Sequence, residues 1–383
     1  MDFSLDSEQI QLKEAIIKFS RKKLDNPENG NKGSNMHFSY DGWKNCAEFG
    51  ILGLAVPKIY GGLELDPLTL MIAAEAFGYG CRDNGLVFAV NNHVFACTIP
   101  ILKFGSVEQK ERYLPKLASG EYIGAHAMTE AGSGSDSFSM QTTAELRGDK
   151  YVINGSKAFI TNAPVADVFI VFAKTSKDRE LGNVSAFIVE RSFPGISKGK
   201  PFEKMGLQNA PMTEIYFDEC EVPVQNLLSK AGDGFLIFNT AVEWERSYIF
   251  ASHLGAMKRQ LEECINYVKN RKQFDRPISS FQAVSNKIAD MKMNIELAEL
   301  MLYKIGWLKK KNKSSFLEST IAKLFISEKY IQASLDAIQL HGAYGYMTEA
   351  GIEQGLRDSV ASAIYSGTSE IQRDIIARWC GLG

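Results

Sequence analysis

The order of local patterns along the chain predicts an α+β protein with its strands set between two helical regions. Three observations carry this. Up to about residue 120, apolar residues recur at helical spacing. From Tyr122 to Leu228 the chain changes to short β-branched and aromatic runs separated by turn residues. After Gly234 long helical stretches return. Strands and helices do not alternate, and no unit repeats along the chain. The expected division is 1–120, N-terminal helical domain; 121–230, middle β domain; 231–383, C-terminal helical bundle.

At the N-terminus, Asp6-Ser7 is expected to cap a helix running through Ile10, Leu12, Ala15, Ile16 and Phe19. Glu28 to Asn35, ENGNKGSN, reads as a polar glycine-rich loop. Phe49 to Gly62 ends a helix and turns at Pro57 and Gly61-Gly62. Leu68–Phe77 and Val87–Phe104 supply two more apolar helices. The strand candidates are YVINGSKAFIT, VADVFIVFAK, VSAFIVE and EIYFDECEVP, expected in an antiparallel sheet or barrel. On its own, Asn154-Gly155 within the first of these signals a hairpin turn. Three long helical stretches follow, beginning at Phe235, Val284 and Phe316. The lysines at 309, 310, 311 and 313 fall between the last two and read as a solvated helix–helix turn.

Composition narrows the function classes. The 383 residues are 45% hydrophobic and 23% charged, as in ordinary soluble globular chains. Net charge is -2, from 43 basic and 45 acidic residues, which favours neither nucleic acid nor an anionic membrane. Six cysteines form no C-x-x-C pair, so zinc and redox motifs have no support, and reduced core cysteines are expected. The first twenty residues lack an apolar signal core, and no stretch is expected to reach the ~20 apolar residues of a membrane span. From these readings a cytoplasmic location is expected. GSGSD, Gly132 to Asp136, has Ser137 where a dinucleotide fingerprint needs its third glycine. There is no Walker A sequence and no G-x-S-x-G elbow. The histidines at 37, 93, 126, 253 and 341 show no H-E-x-x-H spacing, and each reads as a hydrogen-bonded structural residue.

Four separated stretches carry chemistry. AMTEAGSGSDSFSM, Ala127 to Met140, is a small-residue loop entering a sheet, where backbone amides can approach a ring or phosphate closely. NGSKAFITNA, Asn154 to Ala163, puts Phe159 and Thr161 on one strand face by simple alternation. RKQFDRPISSFQ, Arg271 to Gln282, offers an arginine fork suited to a diphosphate. LDAIQLHGAYGYM and IYSGTSEIQR end one helix and start another.

In this order and spacing the four resemble the acyl-CoA dehydrogenase family of flavoproteins, over nearly the whole chain. The resemblance implies an N-terminal helical domain, a middle β domain and a C-terminal four-helix bundle, with FAD between the last two. It places Met128, Thr129, Gly134 and Ser135 against flavin or diphosphate, and Phe159 and Thr161 against the flavin ring. It carries Arg271, Phe274, Ile278 and Gln282 across a subunit boundary to a neighbour's cofactor. It sets Gln339, Gly342, Thr368 and Glu370 near the adenosine and diphosphate. A homotetramer follows. Ala131, Asp275 and Ala343 depart from the family's proline, glycine and second glycine.

The reaction implied is removal of a proton α to a thioester with hydride transfer to flavin, which requires a carboxylate base. Where the family usually carries that glutamate, this chain has Ser366, which cannot serve. Part of the family carries the base on an upstream helix, before an arginine. Glu245, preceding Arg246, matches that position. Glu243 is the weaker alternative: two residues away, it points about 200° around the helix. Substrate contacts are expected from Ser135, Arg246, Tyr365, Ser366 and Gly367. The chain resembles the subgroup that oxidises prolyl groups tethered to carrier proteins in natural-product pathways. Alternatives are a short- or branched-chain acyl-CoA dehydrogenase, a flavin oxidase or monooxygenase on this scaffold, and an inactive scaffold. An electron-transferring flavoprotein or oxygen would accept the electrons.

Overall fold

The computed structural model describes residues 4–25, 38–176 and 181–382, so the glycine-rich loop expected at Glu28–Asn35 lies outside the described residues. Helices come first: α1 (Ser7–Lys23), α2 (Tyr40–Phe49), α3 (Pro67–Gly80), α4 (Asn84–Asn91), α5 (Ile99–Phe104) and α6 (Val107–Ala118). Asp6 caps α1 in a box with Gln9, and Gly50, at φ 91°, ends α2. A π-helical stretch, Asn92–Thr98, joins α4 to α5. Together they form a continuous helix, Asn84–Phe104, long and apolar enough to cross a membrane. The expectation that no stretch reaches that length fails here, but this helix is mostly buried inside the protein.

The strands follow: β1 (Gly124–Ala127), β2 (Thr143–Arg147), β3 (Lys150–Thr161), β4 (Val168–Lys174), β5 (Val184–Glu190), β6 (Ile196–Lys198), β7 (Met212–Pro223) and β8 (Leu227–Leu228). They make one sheet in the order β6-β7-β3-β2-β4-β5-β8, with β1 beside β4. The sheet is mixed rather than antiparallel, because β1 and β2 both run parallel to β4. β4 is buried on both faces, which explains its unbroken apolar run. Val168, Ile170 and Phe172 pack toward α5, α6 and Met128; Phe169, Val171 and Ala173 face Ala125, Ala127 and the other side of the sheet.

Asn154-Gly155 makes no hairpin. It sits inside β3 at a register shift against β7, with Gly155 at φ 142°, where a Cβ would stand 2.6 Å from the Thr142 hydroxyl. A second shift falls between Lys157 and Ile160, and Phe159 takes φ 59°. These bulges break the simple alternation: Phe159 is exposed while Thr161 is buried.

The C-terminal region holds α7 (Gly234–Asn270), a small hairpin of β9 (Lys272–Gln273) and β10 (Arg276–Pro277), α8 (Gln282–Lys310), α9 (Phe316–His341), α10 (Ala343–Tyr346), α11 (Ile352–Val360) and α12 (Ser369–Trp379). One hydrophobic core spans α1–α4 and α7–α9, so the two helical regions are packed as one mass beside the sheet. The buried Glu75 of α3 ties them by bonding Lys13 (3.0 Å), Lys258 (2.9 Å) and Tyr303 (3.0 Å). Five described cysteines are buried, Cys380 is exposed, and all are unpaired. The lysine run is not wholly solvated: Lys309 is buried over the Trp244 ring and bonded to Glu243, and Lys310 pairs with Asp66.

Candidate active site

The carboxylate of Glu245, about a third of the way along α7, is the meeting point of three segments. The Ser366 hydroxyl donates to its Oε2 at 2.6 Å. His126 of β1 brings its ring Nδ1 to 3.5 Å from the other oxygen, Oε1. Both side chains are largely enclosed, 12% exposed for Glu245 and 7% for His126. Ser366 and Glu245, 121 residues apart in sequence, thus meet at one place.

Local sequence dictates how Ser366 is presented. Ser366 adopts φ 54° and Gly367 φ 89°. A Cβ on Gly367 would stand 2.6 Å from the Gln372 amide nitrogen and 3.2 Å from Arg246, so only glycine fits. The backbone strain at Ser366 is held from several sides. Arg246 Nε and Gln372 Nε2 donate to its carbonyl at 3.0 and 3.2 Å. Gln372 also bonds the Gly367 carbonyl, Lys323 Nζ bonds that of Ala363 at 3.2 Å, and the Thr368 hydroxyl caps α12. Burial draws the Arg246 guanidinium down to about 10, against the pull of Glu245 and Glu243. Burial, with Arg246 nearby, draws Lys323 down to about 7.

The weaker candidate is committed elsewhere. Glu243 accepts from Lys309 (2.7 Å) and the Ser315 hydroxyl (2.5 Å), on the α8–α9 side. Tyr365, expected to touch substrate, turns its ring onto Phe88 and Phe250 and its hydroxyl onto His253, so its side chain serves the helical core. Burial keeps His253 neutral, down to about 3.

A second set lies on the sheet side. The loop after β1 is anchored by Lys157, fully buried, which donates to the Met128 carbonyl (3.0 Å) and to Glu130 (2.9 Å). Burial draws Lys157 down to about 8 although Glu130 opposes it. Glu130 in turn accepts from the amides of Gln141 and Thr142. Beyond this clamp Gly134 and Ser135 are exposed, and nothing lies within 4 Å of where a Cβ on Gly132 or Gly134 would stand. Phe159 is 56% exposed, in a left-handed conformation unusual for an aromatic residue, with Phe202 beside it. Met128 is buried, Thr129 half-buried, and the Thr129 carbonyl accepts from Ala158. An open glycine backbone, presented hydroxyls and an uncovered aromatic edge fit a flat heteroaromatic ring with a polar tail, as FAD has.

The other predicted cofactor residues stand apart. At about 1.5 Å per residue, α7 runs roughly 37 Å from Glu245 to its end, beside Arg271. Arg271, Gln282 and Gln339 are exposed, and Phe274, at the tip of the β9–β10 hairpin, is 86% exposed. Phe274 and Asp275 take φ 52° and 60°, so Asp275 occupies a left-handed turn position that aspartate tolerates. Ile278 instead packs partly into the helical core. Gly342, at φ 62°, keeps its glycine conformation; Ala343 starts α10 and needs none. Thr368 and Glu370, at the start of α12, lie on the Ser366 side.

Sequence reasoning missed three buried groups: His126, Lys157 and Lys323. Lys157 and Lys323 were legible only as helix or strand positions, without a spacing that marks a partner. β1 has four residues, too few for its alternation to place His126.

With this geometry in view, the class is clear. Family models for the acyl-CoA dehydrogenase N-terminal, middle and C-terminal domains match residues 6–121, 125–220 and 232–381. The chain belongs to the acyl-CoA dehydrogenase family. Among curated relatives, an L-prolyl-[peptidyl-carrier protein] dehydrogenase from Pseudomonas fluorescens is 42% identical over 99% of each chain. Among solved structures, the prolyl acyl carrier protein oxidase AnaB is 44% identical, covering 99% of this chain and 100% of its own, with a TM-score of 0.96. PigA, solved as an FAD complex and with FAD and proline, is 39% identical over all of both chains, with a TM-score of 0.96.

Proposed function

We propose that this chain is an FAD-dependent dehydrogenase acting on a prolyl group held as a thioester on a carrier protein, with Glu245 as the base. The observation that carries the mechanism is the 2.6 Å contact between Ser366 and the Glu245 carboxylate. It supports the reading that the upstream acid reaches the point from which the C-terminal acid works elsewhere in the family. The substrate class rests on the prolyl-carrier relatives of full-length similarity.

FAD, when bound, supplies the acceptor for the hydride leaving the β-carbon. Glu245 takes the α-proton. The Ser366 hydroxyl holds Oε2 and fixes the carboxylate's orientation, while its small size leaves room for a ring beside the α-carbon. Arg246 holds the Ser366 backbone and so sets where that hydroxyl points. Phe159, Thr161, Met128, Thr129, Gly134 and Ser135 would line the flavin side; Ser135 and Gly367 would border the thioester. Arg271, Phe274, Gln282, Gln339 and Gly342 lie too far from Glu245 to serve the same flavin ring, which supports their completing a neighbour's site in a homotetramer. Electrons would pass to an electron-transferring flavoprotein or to oxygen.

The test is anaerobic. Purified protein is mixed with L-prolyl-carrier protein and, separately, isovaleryl-CoA, and flavin bleaching is followed. Bleaching by the prolyl thioester supports the reading; bleaching by isovaleryl-CoA alone overturns it.

A further inference from the structure

We infer that His126 recognises the secondary amine of the prolyl group, and so sets specificity for an α-amino thioester. This rests on the prolyl reading of the site given above.

The observation is a buried imidazole whose needs go unmet. Both His126 ring nitrogens are shut off from solvent and lack a hydrogen-bond partner. The other described histidines each make at least one hydrogen bond. His93 bonds the Leu117 carbonyl and the Gly124 amide, His253 bonds Tyr365, and His341 bonds the Ala337 carbonyl. An unpaired buried polar group costs about 1–3 kcal/mol, so such groups are retained where something completes them. Aromatic rings hold His126 in place without satisfying it: Phe172 stacks on it at 5.1 Å and Phe238 meets it edge-on at 6.2 Å.

Its position selects the ligand chemistry. Nδ1 lies 3.5 Å from Glu245 Oε1, an ion-pair separation rather than a hydrogen bond, while Oε2 is already taken by Ser366. A base at work stands about 3–3.5 Å from its target carbon. In a prolyl group the nitrogen is bonded to that carbon, at about 1.5 Å. The amine is therefore within reach of the ring and of Oε1 together. It is also the one polar group of the prolyl ring, and the surrounding phenylalanines suit the ring's three methylenes. An acyl chain without nitrogen would leave His126 unpaired and would be bound less well.

The experiment uses the FAD-loaded enzyme and two carrier-protein thioesters of nearly equal shape, L-prolyl and cyclopentanecarbonyl. Single-turnover flavin reduction gives a rate ratio for the wild type, His126→Leu and His126→Asn. The wild type should favour prolyl by ~100-fold or more, since a site built to bond a polar group rejects the analogue lacking it. His126→Leu should lower that ratio by ~10-fold or more. His126→Asn, whose amide can stand near the Nδ1 position, should keep most of it and guards against a folding artefact. Equal fractional losses on both thioesters would show that His126 acts through Glu245 and would overturn the inference, as would an unchanged ratio. A wild type that ignores prolyl thioester while oxidising an acyl-CoA would instead fell the proposed function, and this inference with it.

Discussion

If Glu245 and Ser366 address one point, the base can be moved back. The perturbation is the pair Glu245→Ala and Ser366→Glu, made singly and together. A glutamate at 366 carries its carboxylate oxygens about two bonds, roughly 2.5 Å, beyond the place of the serine oxygen. That matches the 2.6 Å gap now closed by the hydrogen bond. The backbone at 366 already holds a non-glycine residue at φ 54°, and its anchors from Arg246 and Gln372 go to the carbonyl, so the exchange leaves them in place. Glu245→Ala alone should slow flavin reduction by ~10²–10⁴-fold, the usual contribution of a general base. In free-energy terms that is about 3–5 kcal/mol. The double variant should regain ~10-fold or more, the remainder reflecting imperfect aim. Anaerobic stopped-flow with the same prolyl thioester reads all forms, and visible absorbance confirms that each still holds FAD. Full activity in Glu245→Ala, or a flavin-loaded double variant no faster than the single one, refutes the shared-point argument.

Further outcomes follow from the same contacts. Gly367→Ala forces a Cβ to within 2.6 Å of Gln372 and should misplace Ser366, lowering the flavin-reduction rate ~10-fold or more while the fold persists by circular dichroism. Lys157→Met leaves Glu130 without its buried counter-ion and should cost about 3 kcal/mol, read as a lower thermal midpoint and a looser flavin. His93 and His253 are held neutral by burial, down to about 4 and about 3, so the unfolded chain binds more protons than the folded one below pH 6.5. Stability should therefore be full above pH 6.5 and fall on acidification, by ~2 kcal/mol per histidine at pH 5, as urea midpoints at the two pH values will show. His253→Gln should flatten that slope. Arg271→Ala should leave one subunit's fold intact but weaken FAD retention, measured by absorbance after gel filtration; undiminished flavin would remove this residue from the cofactor site.

What the sequence could and could not disclose follows from how each feature is encoded. The long helices α7, α8 and α9 were legible because their apolar residues repeat over many turns, and α1 because Asp6 and Gln9 write its cap locally. The proposed base was legible for a related reason: the serine in one motif and the glutamate before Arg246 in another are each local facts. Only their meeting, across 121 residues, is a property of the fold. The bulges of β3 were not legible, since Asn-Gly is a turn signal in isolation and becomes a bulge only when β7 pairs across it. The parallel runs of β1 and β2 beside β4 were hidden likewise, because direction is set by the partner strand.

His126 is the extreme case. A lone histidine in a four-residue strand carries no spacing, and most such residues are hydrogen-bonded in the core, as His93, His253 and His341 are. What separates His126 from them is a deficit, both nitrogens buried and unbonded, and a deficit exists only once every neighbour is placed. The proposed base and the group beside it thus differ in kind. The acid belongs to a motif, and its chemistry is written in the residue type. The histidine's role is written in the contacts it lacks. A substrate that brings a hydrogen-bonding group to that spot removes the deficit, whereas an all-carbon acyl group leaves it, so discrimination would be strongest against analogues of the same shape.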